Sequence, residues 1–389
     1  MSIRFLDGLR GIAAAIVMVS HARLLLWEGY SSGFAQHPEQ YSALDKIGMY
    51  VFSAFRYGHE MVILFFILSG FVIHLRFSNR EKRAVMNLKI FWTRRIKRLY
   101  PPLLCALFLA FILDSIGRTY GWGIYEHQTA YPNINRDIAS VINLPTLIGN
   151  LFFLMTVYVP PFGTTTVTWS LMYEWWFYVL YPFFYFGVLR FGFRKMTLGI
   201  AILFLLSFLK DSLPFLLFWK VMDSFIIWWM GACLAELWTN RENLVFPLQK
   251  MTFALLLCLP TPFILRGGIL SNISPIVWDF ILGLGFTGLV GVLLFTKPEN
   301  IIIRFLNRLK PLGDCSYTLY LIHLTVFVFA SGYLMSENGT LPQHHYYVAM
   351  GAVLISLLAY GLHFIIEKPF TGVNRMPYIK DVAHIELKK

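Results

Sequence analysis

Stretches of about 20 apolar residues recur from one end of this chain to the other, and few folds accommodate them. A segment of that length crosses the hydrocarbon core of a bilayer as a helix, which satisfies its own backbone hydrogen bonds. Only 14% of the 389 residues are charged and 57% are hydrophobic, against roughly 25% charged in a soluble domain. The expected fold class is an all-α polytopic membrane protein. About ten transmembrane helices are expected, at 5–26, 59–77, 99–116, 168–189, 197–210, 214–237, 251–266, 275–296, 314–335 and 345–366. The stretch LPTLIGNLFFLMTVYV (144–159) is apolar but meets Pro160-Pro161 too soon to span. It is expected to be one extra re-entrant or interfacial segment. Counting it as a span would also move Arg190, Arg194 and Lys195 to the opposite side of the membrane.

The net charge of +12 raises the question of nucleic acid, and its distribution answers it. With a cytoplasmic N-terminus, most Lys and Arg residues fall on the cytoplasmic side of the expected spans. The other side holds Arg23, Lys46, Arg56, Arg118, Arg136, Lys210 and Arg266, and Lys220 lies within a span. That asymmetry is the positive-inside pattern, so no nucleic-acid partner is needed. Asp7 and Arg10 interrupt the first apolar run, which argues against a cleavable signal. Cys105, Cys233, Cys258 and Cys315 all fall in apolar stretches and read as buried hydrophobes, not as disulfide or metal partners. The expected organisation is a membrane-embedded domain over 1–370 and a short basic cytoplasmic tail over 371–389. The two largest outer connections, about 27–58 and 117–167, are polar and aromatic-rich enough to form a cap.

Ionisable groups inside the expected spans carry the functional signal. Arg10 and His21 are eleven residues apart, which returns a helix to nearly the same face. Arg10, Ala14, Val17 and His21 then share one stripe, with the two polar side chains roughly 16 Å apart along the axis. A structural account has Arg10 snorkelling to headgroups and His21 satisfied within the bundle. A functional account has both facing a pathway, because intramembrane charge is expensive and histidine moves protons near neutral pH.

Other stretches resist a purely structural account. KIFWTRRIKRLYPPLL (89–104) sets Lys89, Arg94, Arg95, Lys97 and Arg98 ahead of Pro101-Pro102, which is expected to start the third span. Lys89 and Lys97 suit a topology anchor, whereas the arginine forks of Arg94, Arg95 and Arg98 also suit phosphate. Ser69-Gly70 in FFILSGFVIH (65–74) reads as a helix-packing point or, less simply, as a nucleophile. Glu174 lies among Trp169, Tyr173, Trp175, Trp176 and Tyr178, and a carboxylate there needs a partner or a proton. Its depth is comparable with that of His21, so a His–Glu pair is geometrically allowed. In GDCSYTLYLIH (313–323), Tyr317, Tyr320 and His323 roughly share a face, and Asp314 and Ser316 resemble helix-start residues. Glu367 and Lys368 read as an interfacial pair.

Together these stretches resemble the acyltransferase 3 family of integral membrane acyltransferases. DGLRGIAAAIVMVSH resembles the family's first-helix block, LFFILSGFVI its Phe-Phe-x-x-Ser-Gly-Phe block, and RRIKRLYP its arginine block. WSLMYEWWFYVLYP resembles the Trp-Ser-Leu-x-x-Glu block, and SYTLYLIH and IEKP the closing blocks. Each block is weak alone, and six in order are specific. Met61 departs from a usual glycine, and Trp175 and Trp176 from polar residues.

The resemblance implies transfer of an acyl group, acetyl being the family's common choice, from cytoplasmic acyl-CoA to a hydroxyl of a cell-envelope or exported glycan such as O-antigen or exopolysaccharide. It implies no permanently bound cofactor and no metal, with acetyl-CoA as donor substrate. Arg10, Arg94, Arg95, Arg98 and Lys310 are then expected to hold the acyl-CoA. His21 is expected as general base, with Glu174 orienting it and Arg10 beside it. Ser69, Trp169, Tyr173, Tyr317 and His323 are expected to line the acceptor site or tunnel. The implied location is the bacterial cytoplasmic (inner) membrane with both termini cytoplasmic. Membrane lipids and a glycan or lipid-linked sugar acceptor are the implied partners. Some relatives carry a C-terminal hydrolase-like domain, so a separate extracytoplasmic transferase is a further expected partner. A proton-coupled transporter or flippase of a glycan or glycolipid is the competing class, although no inverted repeat is evident.

Overall fold

The computed structural model describes residues 3–78, 86–138, 140–240, 248–265 and 272–371. Arg80, Lys82, Arg83, Arg241, Arg266 and the expected tail beyond Thr371 lie outside them. The described residues form helices and no strands, in the order α1 (Phe5–Leu25), α2 (Ala43–Ser53), α3 (Gly58–Leu75), α4 (Leu88–Thr119), α5 (Pro132–Asp137), α6 (Leu144–Leu151), α7 (Trp169–Phe191), α8 (Phe193–Ser207) and α9 (Leu216–Thr239). There follow α10 (Leu248–Cys258), α11 (Thr261–Leu265), α12 (Pro275–Phe295), α13 (Ile301–Arg308), α14 (Lys310–Asp314), α15 (Ser316–Asn338), α16 (Tyr346–Ile366) and α17 (Lys368–Thr371). The chain is an all-α polytopic membrane protein.

Among the described residues, 8 segments are long and apolar enough to cross a membrane. The two remaining expected spans fall on α7 and α8. Helix α8 has only 15 residues, and the tyrosines, tryptophans and Glu174 of α7 lower its hydropathy. Segment 144–159 is the eight-residue α6 followed by turns, too short to cross.

Three local expectations are corrected. Helix α4 begins at Leu88 and carries Pro101 and Pro102 in its interior, so the prolines do not start it. A proline tolerates this position where the carbonyls it strands find other partners. The expected span 251–266 stands as one apolar segment long enough to cross, Leu248–Leu265, but as two helices and not one, broken between Cys258 and Thr261, where Pro260 cannot donate to the ladder. Asp314 closes α14 and does not cap α15; it accepts from Lys310.

The chain divides into two compact units. The first comprises 1–58, 89–168 and 304–389. Its core is α1 packed against α14, α15 and α16. A Cβ on Gly11 would overlap the Gly313 backbone and one on Gly313 the Asp7 carbonyl, so glycine permits the α1–α14 approach. The connections are knitted by buried carboxylates. Glu28 accepts from Tyr41 at 2.9 Å, Tyr131 at 3.1 Å and Gln343 at 3.2 Å. Burial pushes the Tyr131 phenol up to about 12, which keeps it a donor. Asp45 accepts from the backbone of His345, and Asp114 from Ser140 and Thr164. Glu28 and Asp45 thereby tie the connection after α1 to Tyr131, Gln343 and His345.

The second unit comprises 59–88 and 169–303. Helix α9 packs against α7, α8 and α12, and α12 against α10. Helices α3 and α9 approach backbone to backbone, because Gly70 lies on the Trp228 carbonyl and Gly231 on that of Ile67. The Ser69-Gly70 pair therefore includes the helix-packing point its small residues suggested.

Candidate active site

In the first unit, the stripe on α1 faces protein, since Ala14 is 0% and Val17 2% exposed. His21, near the end of α1, meets His323 of α15: His21 Nδ1 and His323 Nε2 are 2.9 Å apart. The rings lie 5.0 Å apart at an angle of 37°. His323 is fully buried, and its Nδ1 lies 3.0 Å from the carbonyl of Leu319 one helical turn earlier.

These two contacts fix the proton positions when both rings are neutral. A carbonyl only accepts, so His323 Nδ1 carries its hydrogen and Nε2 offers a lone pair. His21 Nδ1 must then donate to that lone pair, which leaves His21 Nε2 unprotonated. The His21 ring also bonds the Val17 carbonyl one turn earlier, the same relation that His323 Nδ1 has to Leu319. A histidine so held is poised to accept a proton.

Tyr320 and Phe327 pack against the His323 ring, and the Tyr320 hydroxyl donates to the Val167 carbonyl at 3.2 Å. Tyr317 is buried on the same helix. Arg10, at the other end of the stripe, is 4.0 Å from Asp7. Lys310, on the α14 segment packed against α1, is ion-paired with Asp314. Arg94, Arg95 and Arg98 lie in the first part of α4, none of them buried, with Arg95 over the Phe91 ring at 5.1 Å. Glu367 turns inward to Thr318 at 3.0 Å and His363 at 3.2 Å, while Lys368 sits over Phe364. The expected Glu367–Lys368 pair is replaced by these contacts.

The second unit holds Ser69, Trp169, Tyr173 and Glu174. The Glu174 carboxylate accepts a short hydrogen bond from Tyr178 one turn on, and one from Ser69 at 3.4 Å. Trp228 donates its indole N–H to the Ser69 hydroxyl at 3.2 Å. A carboxylate with these donors is satisfied without leaving its unit. Trp169 stacks on His59, which is 2.9 Å from Asp279, and Tyr173 packs edge-on against Trp169.

The sequence marks His21 and His323 separately and does not pair them. Its motifs do not mark His74, whose ring nitrogens meet Tyr181 at 3.0 Å and Glu236 at 3.1 Å. The signal for that pair was present: a histidine and a glutamate each lie inside an expected span.

Comparison with known proteins places these residues in a family. The acyltransferase 3 model, described as an acyltransferase domain, matches residues 3–374. A peptidoglycan O-acetyltransferase OatA of Listeria monocytogenes is 26% identical over 71% of this chain and 46% of its own length. An O-acetyltransferase OatA of Staphylococcus aureus is 25% identical over 78% of this chain and 51% of its own. The chain thus spans about half the length of these two relatives. An acyltransferase MdmB of Streptomyces mycarofaciens is 26% identical over 94% of this chain and 90% of its own. No solved structure matches the chain.

Proposed function

Because this chain belongs to the acyltransferase 3 family, we propose that it is a membrane O-acyltransferase, moving an acetyl group from cytoplasmic acyl-CoA to a hydroxyl of a cell-envelope or exported glycan. The observation that carries the reading is the His21–His323 pair, which leaves one imidazole nitrogen unprotonated. O-acetyl transfer and a glycan acceptor are taken over from the OatA relatives.

In the proposed reaction an acceptor hydroxyl attacks the thioester carbonyl while His21 Nε2 takes its proton. The carbon–sulfur bond breaks and the CoA thiolate leaves. The imidazolium then returns the proton to that sulfur, giving free CoA thiol and the O-acetyl ester. His323 acts as a positioning residue, because it touches His21 and sets its tautomer. Arg94, Arg95 and Arg98 hold the nucleotide phosphates through guanidinium forks, and Arg10 supplies a further cation on α1. Lys310 takes part only if it gives up Asp314. The Ser69–Glu174–Tyr178 network of the second unit is a second polar element on which turnover depends. The location that suits this chemistry is the bacterial inner membrane, with both termini on the acyl-CoA side.

The test is reconstitution in vesicles with labelled acetyl-CoA on one side and envelope glycan from the producing cells on the other. The expected result is base-labile label in the glycan and free CoA thiol on the donor side. Replacing Arg98 by Ala is expected to raise the acetyl-CoA KM roughly tenfold or more, the cost of a charge-assisted bond to phosphate. Accumulation of unmodified solute without CoA release would instead establish a carrier.

A further inference from the structure

A groove of about 830 Å³ opens in the first unit, where the end of α4 and the following turn meet the last turns of α15. Its floor is aromatic. Tyr120 stacks on Trp122 at 5.8 Å and 19°, with Phe329 5.1 Å and Tyr333 6.2 Å from the indole. The sequence builds this locally. Gly121, at φ +68, turns the backbone so that the rings on either side align. A Cβ on Gly332 would collide with the Trp122 ring, so only glycine lets the indole lie on α15. Tyr120 remains 72% and Tyr333 52% exposed. The amide of Gln128 and the carboxylate of Glu337 are exposed among the lining residues.

Placement separates this groove from the arginine cluster. Arg98 and Tyr120 flank the apolar part of α4, roughly 33 Å apart along a helix, which is about the thickness of the hydrocarbon core. On α15 the groove begins at Phe329, roughly 9 Å along the axis from His323. It therefore lies at the membrane surface opposite Arg94, Arg95 and Arg98, on a helix that also carries half of the histidine pair.

We propose that this groove binds the saccharide acceptor, with sugar rings stacked on Tyr120 and Tyr333 beside Trp122 and their hydroxyls bonded to Gln128 and Glu337. This rests on the O-acyltransferase reading for the role of the bound sugar. A sugar ring presents an apolar C–H face and a polar rim, which matches exposed aromatic faces bordered by an amide and a carboxylate. A lipid acyl chain would match the rings but bury the Glu337 charge without a partner.

The test uses the full chain in vesicles with acetyl-CoA and the envelope glycan of the producing cells. Tyr120→Ala is expected to raise the acceptor KM about threefold to tenfold, the scale of one aromatic contact. Adding Gln128→Ala is expected to raise it further. The acetyl-CoA KM and kcat should stay unchanged, which a folding defect would not allow. An unchanged acceptor KM in the double variant overturns the proposal. So does a KM change that follows the vesicle's lipid composition and not the glycan, since the rings would then anchor to lipid. If the wild-type protein transfers nothing, the functional reading fails and the groove is judged by binding. Quenching of tryptophan fluorescence by chitotetraose that Tyr120→Ala abolishes then supports a sugar site, and absence of quenching overturns it.

Discussion

His21 and His74 both sit within apolar helices and both meet a polar side chain distant in sequence, yet their rings are in opposite states. His74 is fully buried, with Nδ1 bonded to Tyr181 and Nε2 to Glu236. Each nitrogen has a partner, so nothing is left for a substrate. His21 spends Nδ1 on His323, whose own second nitrogen is spent on Leu319. That chain of commitments ends at His21 Nε2. The presence of histidine in a membrane helix does not separate packing from chemistry; the bookkeeping of its two nitrogens does.

The comparison breaks first at His21 itself. His21→Ala is expected to lower acetyl transfer roughly 10²–10⁴-fold, the usual worth of a positioned base, with only the modest fall in melting temperature that follows when buried His323 loses its donor. The mirror experiment is His74→Ala. Taking its histidine hydrogen bond from buried Glu236, which keeps Asn240 as a donor, is expected to cost about 1.5–3 kcal/mol of stability, read as a lowered melting temperature. The folded fraction should keep its specific activity. If His74→Ala abolishes turnover at unchanged stability, the two histidines are not different in kind.

A finer distinction comes from His323. His323→Ala is expected to cut kcat roughly 10- to 100-fold, as losses of orienting partners do, while the acetyl-CoA KM holds. His323→Gln retains an amide oxygen that can accept from His21 Nδ1, so it should recover part of that loss. Equal loss in the two variants would assign His323 to packing. The smallest effect is expected at Glu174→Gln, a few-fold in kcat, because Tyr178 and Ser69 still find an oxygen there.

The sequence exposes the ionisable residues far better than their partners. Arg10, His21, Glu174 and His323 stand out because charge is costly in lipid, and each lies in a helix as expected. The His21–His323 contact joins positions 302 apart, and no periodicity within α1 or α15 encodes which helices meet. Glu174 finds Tyr178 one turn away on its own helix, a partner that spacing alone allows. Helix limits follow the same division. The ends of α1, α12 and α16 are set by local apolar length and fall near their expected places. Helix α4 overrides two prolines, and the break before α11 interrupts an apolar run. Both outcomes depend on what neighbouring segments offer to freed backbone groups. The groove beside Trp122 was similarly hidden, since its halves lie about 200 residues apart in the chain.

The most direct test of the account is ¹⁵N NMR of the histidine-labelled protein in lipid, with His21 assigned by its loss in His21→Ala. The account predicts a proton on Nδ1 and a bare Nε2 at neutral pH, and loss of that preference in His323→Ala. A proton resting on His21 Nε2 in the wild-type protein would contradict it.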